Sequence, residues 1–152
     1  MNDPILEFQR EYRFLSNFYP APFTYKGQEY PSVEHAYQAL KCVNKSDHDF
    51  IVTSCTPGGA KRHVRKVAQK EGFHDNKLEL MSTLVSLKFI YNKDLAKKLL
   101  ETGDSELIEG NWWGDKYWGV FKGEGENHLG KILMAVRDRL RKGQSSDPSP
   151  EG

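Results

Sequence analysis

The chain has 152 residues, 38% hydrophobic and 12% aromatic, a globular composition with enough length to bury a sizeable core. Lys and Arg number 22 against 21 Asp and Glu, which excludes a protein that coats nucleic acid by bulk charge but not one that binds a phosphorylated small molecule or a single modified nucleotide. No run approaches about 18 apolar residues, the N-terminus lacks a secretory pattern, and Cys42 and Cys55 have neither metal-ligand spacing nor a disulfide framework. The expectation is an intracellular protein, cytoplasmic with the nucleus also open, monomeric and without membrane attachment.

In chain order, Ile5–Phe8 and Phe23–Tyr25 read as short strands, and Lys26-Gly27 as the turn of a hairpin to Gln28–Tyr30. A helix begins after Ser32, its N-cap, with Val33, Ala36, Tyr37 and Leu40 as its apolar stripe. Further helices are expected at 46–55, 60–70, 75–91 and 93–101. In the third of these, Leu78, Met81, Val85 and Lys88/Phe89 track one face. Ser105–Glu109 and Trp118–Phe121 read as strands. A last helix runs from Asn127 to Lys142 with Leu129, Ile132, Leu133, Val136 and Leu140 inward. The whole is an α+β fold, a mostly helical single domain over 1–142 with a small antiparallel sheet. Residues 143–152, polar with Pro and Gly, read as a disordered tail.

Five places could carry chemistry. Glu34, Gln38 and Lys41 follow one another at i, i+4 and i+7 beside the apolar stripe, so a carboxylate and an ammonium lie roughly 10 Å apart on one side of a helix. That span suits a sugar at one end and a phosphate at the other; a first-turn Glu favoured by the helix dipole is the alternative. Phe14 and Phe18 flank Asn17, which suits base stacking and hydroxyl reading or, equally, core packing and a turn. All three tryptophans lie between 112 and 118, among Asn111, Asp115 and Gly119, either a substrate loop or a hairpin of packed aromatics. The loop Phe121–Gly130 enters the last helix at Asn127, but Glu124 and Glu126 oppose a phosphate there, so an N-cap is the plainer reading. On the 60–70 helix Val64, Val67 and Ala68 face inward. Lys61, Arg62, Arg65, Lys66 and Lys70 form the outer face, either merely solvated or touching a diphosphate or a nucleic-acid backbone. The five histidines show no metal-binding arrangement, so neither a metal nor a cofactor is expected.

The ordered series FLSNFYP (14–20), YPSVEHAYQALK (30–41), WGDKYWG (113–119) and NHLGKILMAVR (127–137) resembles the NADAR superfamily and its YbiA-like family, over residues 8–142. The resemblance implies an enzyme tied to NAD and ADP-ribose metabolism that hydrolyses C–N glycosidic bonds to ribose. One branch acts on phosphoribosylamino intermediates of riboflavin synthesis, another removes ADP-ribose from guanine in nucleic acid. The family's essential Glu, in Ser/Thr-x-Glu-His, falls at Glu34 and its Asp, in Asp-x-x-Trp-Gly, at Asp115. Its Asn-Phe pair falls at Asn17 and Phe18, and its Asn-x-Leu-Gly helix start at Asn127 and Gly130. A Trp that YbiA-like members carry ahead of the long central helix is replaced here, at Phe73 or His74, which weakens transfer of the riboflavin-pathway specificity.

The reaction that the resemblance implies is hydrolysis of an N-glycoside, which proceeds through a cation-like C1 of ribose. Glu34 would stabilise that cation and orient or deprotonate water, with direct attack by Glu34 left open. Asp115 would hold ribose or the leaving group. Phe14, Phe18, Trp113 and Trp118 would stack and exclude water, and Lys41 would hold phosphate. Asn17, Gln38, Gly119 and Asn127 complete the expected substrate-binding set. The expected partner is an ADP-ribose-containing nucleotide or ADP-ribosylated guanine in nucleic acid. Riboflavin-pathway hydrolysis and a non-catalytic ADP-ribose-binding or NAD-binding module are the alternatives.

Overall fold

The structure, a computed structural model, describes residues 2–143. Apart from Gly143, the tail expected at 143–152 lies outside the described residues. The backbone contacts group into two compact units, one of residues 2–16 and 92–143, the other Asn17–Tyr91.

In the Asn17–Tyr91 unit, β1 (Phe23–Tyr25) pairs antiparallel with β2 (Gln28–Tyr30), as the Lys26-Gly27 turn predicts. Both turn residues have positive φ, 50° and 81°, the requirement of a two-residue hairpin whose twist matches its strands. Four helices follow: α1 (Val33–Ala39), α2 (Lys45–Ser54), α3 (Pro57–Val64) and α4 (Lys77–Tyr91), the last preceded by a 3-10 turn at Phe73–Asn76. Ser32 caps α1, its hydroxyl accepting from the His35 amide at 3.1 Å.

Helix α1 packs against α2, α3 and α4, so it has no solvent side. Every residue from Ser32 to Ala39 is buried, Glu34, His35 and Gln38 among them. Glu34 and Gln38 share one side of the helix as the spacing predicts, and that side is buried too, because a helix surrounded by others is buried all round. Helix α3 departs from the expected 60–70. Thr56 caps it and Pro57 occupies its first turn, where a missing N–H costs nothing, and it ends at Val64. Val64 is buried, but Val67 is half-buried and Ala68 exposed, because the chain has already left the helix. In α4, Met81, Val85, Lys88 and Phe89 are buried as expected, whereas Leu78 is exposed.

In the other unit, a 3-10 helix (Arg10–Leu15) precedes α5 (Lys93–Glu101), β3 (Gly110–Asn111), β4 (Val120–Phe121) and α6 (His128–Arg141). The strands expected at 5–8 and 105–109 reduce to one bridge, Ile5 to Leu107, and that at 118–121 to Val120–Phe121. Strands β3 and β4 pair parallel, so the 110–121 segment is not a hairpin. Of the expected α6 stripe, Leu129, Leu133 and Val136 are buried and Ile132 and Leu140 half-buried. Helix α6 packs on α5, and its Arg137 reaches the Thr102 hydroxyl at 2.8 Å.

Candidate active site

The Asn17–Tyr91 unit holds Glu34, Gln38, Lys41, Asn17 and Phe18. Glu34 is 6% exposed in the first turn of α1, and its amide donates to the Asn17 carbonyl at 3.0 Å. One turn on, Gln38 Nε2 donates to Glu34 Oε2 at 2.7 Å. That bond fixes the amide orientation, since the carboxylate accepts only from the nitrogen end. Gln38 Oε1 is left buried without a hydrogen-bond partner. An orphaned buried acceptor costs about 1–3 kcal/mol, a cost that a donor-bearing ligand would remove. The next residue of the motif, His35, is a strut: Nδ1 meets the Ser32 hydroxyl at 2.8 Å and Nε2 the Cys55 carbonyl at 2.7 Å.

Lys41 follows the end of α1. Its ammonium lies over the Tyr37 ring, 4.7 Å from the centroid, and 5.8 Å from the Phe73 centroid. Those two rings meet edge to face at 5.5 Å. Burial pulls the Lys41 ammonium below the ordinary lysine range; Glu34 opposes that shift, and Lys77, Lys61 and Arg65 add to it. The His74 imidazole is likewise lowered, by desolvation first and then by Lys41 and Lys77. A buried carboxylate, an orphaned acceptor and a half-buried ammonium therefore succeed one another along α1. Asn17 donates its side-chain amide to the Met81 sulfur at 3.5 Å. Phe18 is half-buried, close to the helix start at Gly58.

The other unit holds Phe14, Trp113, Asp115, Trp118, Gly119 and Asn127. Phe14 is 4% exposed, in the core rather than available for stacking. Asp115 Oδ1 accepts from the amides of Tyr117 and Trp118 at 3.0 and 2.9 Å, so that oxygen closes the turn. Asn111 ties the same loop, donating to the Asp115 carbonyl at 2.9 Å and accepting from the Asp115 amide at 2.9 Å. Of the tryptophans read as either a substrate loop or packed aromatics, Trp118 meets Tyr117 at 4.8 Å, while Trp112 and Trp113 are 73% and 47% exposed. Gly119 is buried against the Glu109 carbonyl, where a Cβ would collide with backbone. Asn127 makes no cap bond; at φ 53° its side chain accepts from the Glu109 amide and donates to the Leu107 carbonyl, both at 2.9 Å.

Sequence reasoning missed Tyr37, read only as core, Lys77, and the tie made by Asn111. Lys77 carried no motif. The Asn111–Asp115 spacing between glycines was the one available sign of a pinned loop. Among the described residues no group of three or more His, Cys, Asp or Glu stands together as metal ligands would, and no helix is long and apolar enough to cross a membrane.

The NADAR domain family model matches residues 6–141. The chain is 37% identical to a riboflavin biosynthesis protein of Vibrio vulnificus over 93% of its own length, and spans only 40% of that protein. It is 35% identical to an N-glycosidase of Nostoc punctiforme, covering 86% of each chain. It is 30% identical to the N-glycosidase YbiA of Escherichia coli, covering 92% of this chain and 91% of that one. The NMR structure of Escherichia coli YbiA superposes with a TM-score of 0.82 at 28% identity, over 98% of this chain and 92% of the other.

Proposed function

The chain belongs to the NADAR domain family, and from that premise we propose that it is an N-glycosidase that removes ADP-ribose from guanine in nucleic acid. The observation that carries the reading is the buried Glu34 carboxylate, clamped by Gln38 and followed by the unpaired Gln38 oxygen. Water attacks C1 of ribose as the C–N bond breaks; its oxygen stays on the sugar and a proton goes to the departing nitrogen. Glu34, in the first turn of α1, stabilises the cation-like C1 and orients the water. Gln38 Oε1 accepts from a ribose hydroxyl. Lys41 holds phosphate on the far side of the sugar. The guanine-linked substrate is favoured over a riboflavin intermediate because the Trp that YbiA-like members carry ahead of the long central helix is replaced here, at Phe73 or His74; the Phe73 ring centroid lies 5.8 Å from the Lys41 ammonium. The name of the Vibrio relative favours the second reading, hydrolysis of phosphoribosylamino intermediates of riboflavin synthesis.

The test is turnover by wild type and Glu34→Gln on guanine-ADP-ribosylated single-stranded DNA and on a phosphoribosylamino-pyrimidine. Unit charges about 4 Å apart at an effective dielectric of about 20 interact by about 4 kcal/mol, on the order of a thousandfold in rate. Glu34-dependent release of ADP-ribose with that loss supports the proposal. Cleavage of the pyrimidine alone moves the protein to the second reading, and unchanged turnover in Glu34→Gln removes Glu34 from the mechanism.

A further inference from the structure

We propose that Trp112, with Trp113 beside it, forms a stacking platform for an unpaired nucleobase of a single-stranded nucleic acid. The choice of a nucleic acid rests on the reading above; the platform rests on the loop that carries the two indoles.

The backbone pins this loop at both ends. Gly110, where it begins, lies so close to the Leu6 carbonyl that a Cβ would collide with it. Asn111 then ties the loop across its base. Its amide nitrogen donates to the Asp115 carbonyl at 2.9 Å and the Val120 carbonyl at 3.2 Å, and its oxygen accepts from the Asp115 amide at 2.9 Å. Asp115 Oδ1 in turn holds the amides of Tyr117 and Trp118. Between Asn111 and Asp115 stand Trp112, Trp113 and Gly114, and Gly114 turns the chain at φ 89°.

The indoles are displayed rather than packed. Trp112, at 73%, is the most exposed aromatic side chain among the described residues, and Trp113 is 47% exposed. They meet edge to face, with centroids 4.8 Å apart and planes at 83°. In such a pair one ring uses only its edge, so its faces stay open to a third ring. Indoles are among the side chains with most to gain from burial, so folding alone gives no reason to pin a loop that keeps two of them in water. A loop already ordered leaves less freedom for a ligand to remove, which lets a small contact bind.

Size and charge decide the occupant. At about 250 Å² per indole, the pair exposes on the order of 300 Å², against roughly 800 Å² from each side of a stable protein interface. The pair is therefore too small to hold a second copy or a folded partner. Lys116, the cation nearest in sequence, pairs with Glu124 at 3.1 Å, and Asp115 Oδ1 already accepts two amides, so the loop offers ring surface rather than charge. A ligand gripped by ring faces and not by charge is itself a flat ring. A nucleobase has that shape, and in a single strand its face is free to stack, whereas a duplex keeps it between its neighbours.

The experiment is fluorescence anisotropy of a labelled, unmodified single-stranded oligonucleotide, an abasic strand of the same length and the matching duplex, each with wild type, Trp112→Ala and Trp112→Phe. Trp112 is exposed, so both variants are expected to fold, which their melting curves check. Wild type should bind the single strand more tightly than the abasic strand or the duplex. Trp112→Ala should lower that affinity on the order of tenfold, to the level of the abasic strand, while Trp112→Phe, which keeps a ring, retains much of it. Absence of strand binding by wild type overturns the proposal, as does equal binding by Trp112→Ala. Equal binding of the abasic strand assigns the contact to the phosphate backbone and overturns it too. So does a wild-type mass in sedimentation that rises with concentration and falls in Trp112→Ala, which would make the loop a contact between copies. The strands carry no ADP-ribose and no turnover is read, so these outcomes stay separate from failure of the Glu34 test.

Discussion

Replacing Asn127 by Ala separates a structural role from a substrate-binding one. The side chain bridges the Leu107 carbonyl and the Glu109 amide at 2.9 Å each, and it is 7% exposed. Leu107 is 0% exposed, so its carbonyl would lose a bond that water cannot replace, at about 1–3 kcal/mol. Glu109 is half-buried, and its amide would partly rehydrate, at about 1 kcal/mol. Alanine at φ 53° adds roughly 1 kcal/mol of backbone strain that Asn tolerates better. The sum, about 3–5 kcal/mol, lowers the melting temperature by on the order of 10 °C in a chain of this size. The assay is thermal unfolding followed by circular dichroism, with turnover measured well below the transition and normalised to folded protein. Turnover per folded molecule is expected to stay near wild type. A variant of unchanged stability whose KM or kcat moves would refute the reasoning and place Asn127 at the substrate.

Gly130→Ala should destabilise by at least about 1–3 kcal/mol, because its Cβ would collide with the Leu107 carbonyl and the Asn127 amide; a melting curve like wild type would show that the contact relaxes freely. Lys41→Met should stabilise the protein by about 0.5–2 kcal/mol, since the folded state disfavours the charged ammonium. With its folded pKa below the unfolded value, Lys41 makes wild-type stability rise with pH across the interval between the two, because the unfolded chain there holds the extra proton. Denaturant midpoints against pH should show that slope in wild type and not in Lys41→Met; the same slope in both would overturn it. Tyr30, bonded to His48 Nε2 at 2.8 Å, has its phenol pushed up to about 12 by burial first and then by Tyr25 and Asp49. The folded state holds that proton longer than the unfolded one, so stability is intact below pH 10 and declines towards pH 12, by about 2–3 kcal/mol. Tyr30→Phe should lack this decline, and an equal decline in both proteins would exclude Tyr30 as its source.

What the sequence made legible was local. The Lys26-Gly27 turn and the Ser32 cap depend on single residues with strong backbone preferences, and both stand as expected. The family followed from four motifs in order, each too short to specify it alone. What stayed hidden was set by distant partners. Nothing in the pattern of α1 shows that three helices surround it, so the burial of Glu34 and Gln38 could not be read from their spacing. The end of α3 at Val64 was missed because Val67 and Ala68 continue an apolar period after the chain has turned back towards Lys41. Asn127 looks like a cap in sequence, yet its φ of 53° aims the side chain away from the helix, at Leu107 and Glu109.

The motif residues divide by what their polar atoms already do. Asp115 spends one oxygen on two backbone amides, Asn127 spends its amide on two backbone groups, and His35 has both ring nitrogens bonded to neighbours. Residues so committed hold a loop or a helix start in place, and substituting them changes stability before chemistry. Gln38 is different: one end of its amide is fixed on Glu34 and the other is buried without a hydrogen-bond partner. Folding alone gives no reason to keep that oxygen buried and unpaired, since an apolar side chain of similar size would avoid the cost. On the proposed reading, a donating ribose hydroxyl removes that cost. On the function proposed above, the chemistry along α1 falls to Glu34, Gln38 and Lys41, and the rest of the Ser-x-Glu-His motif holds the helix start.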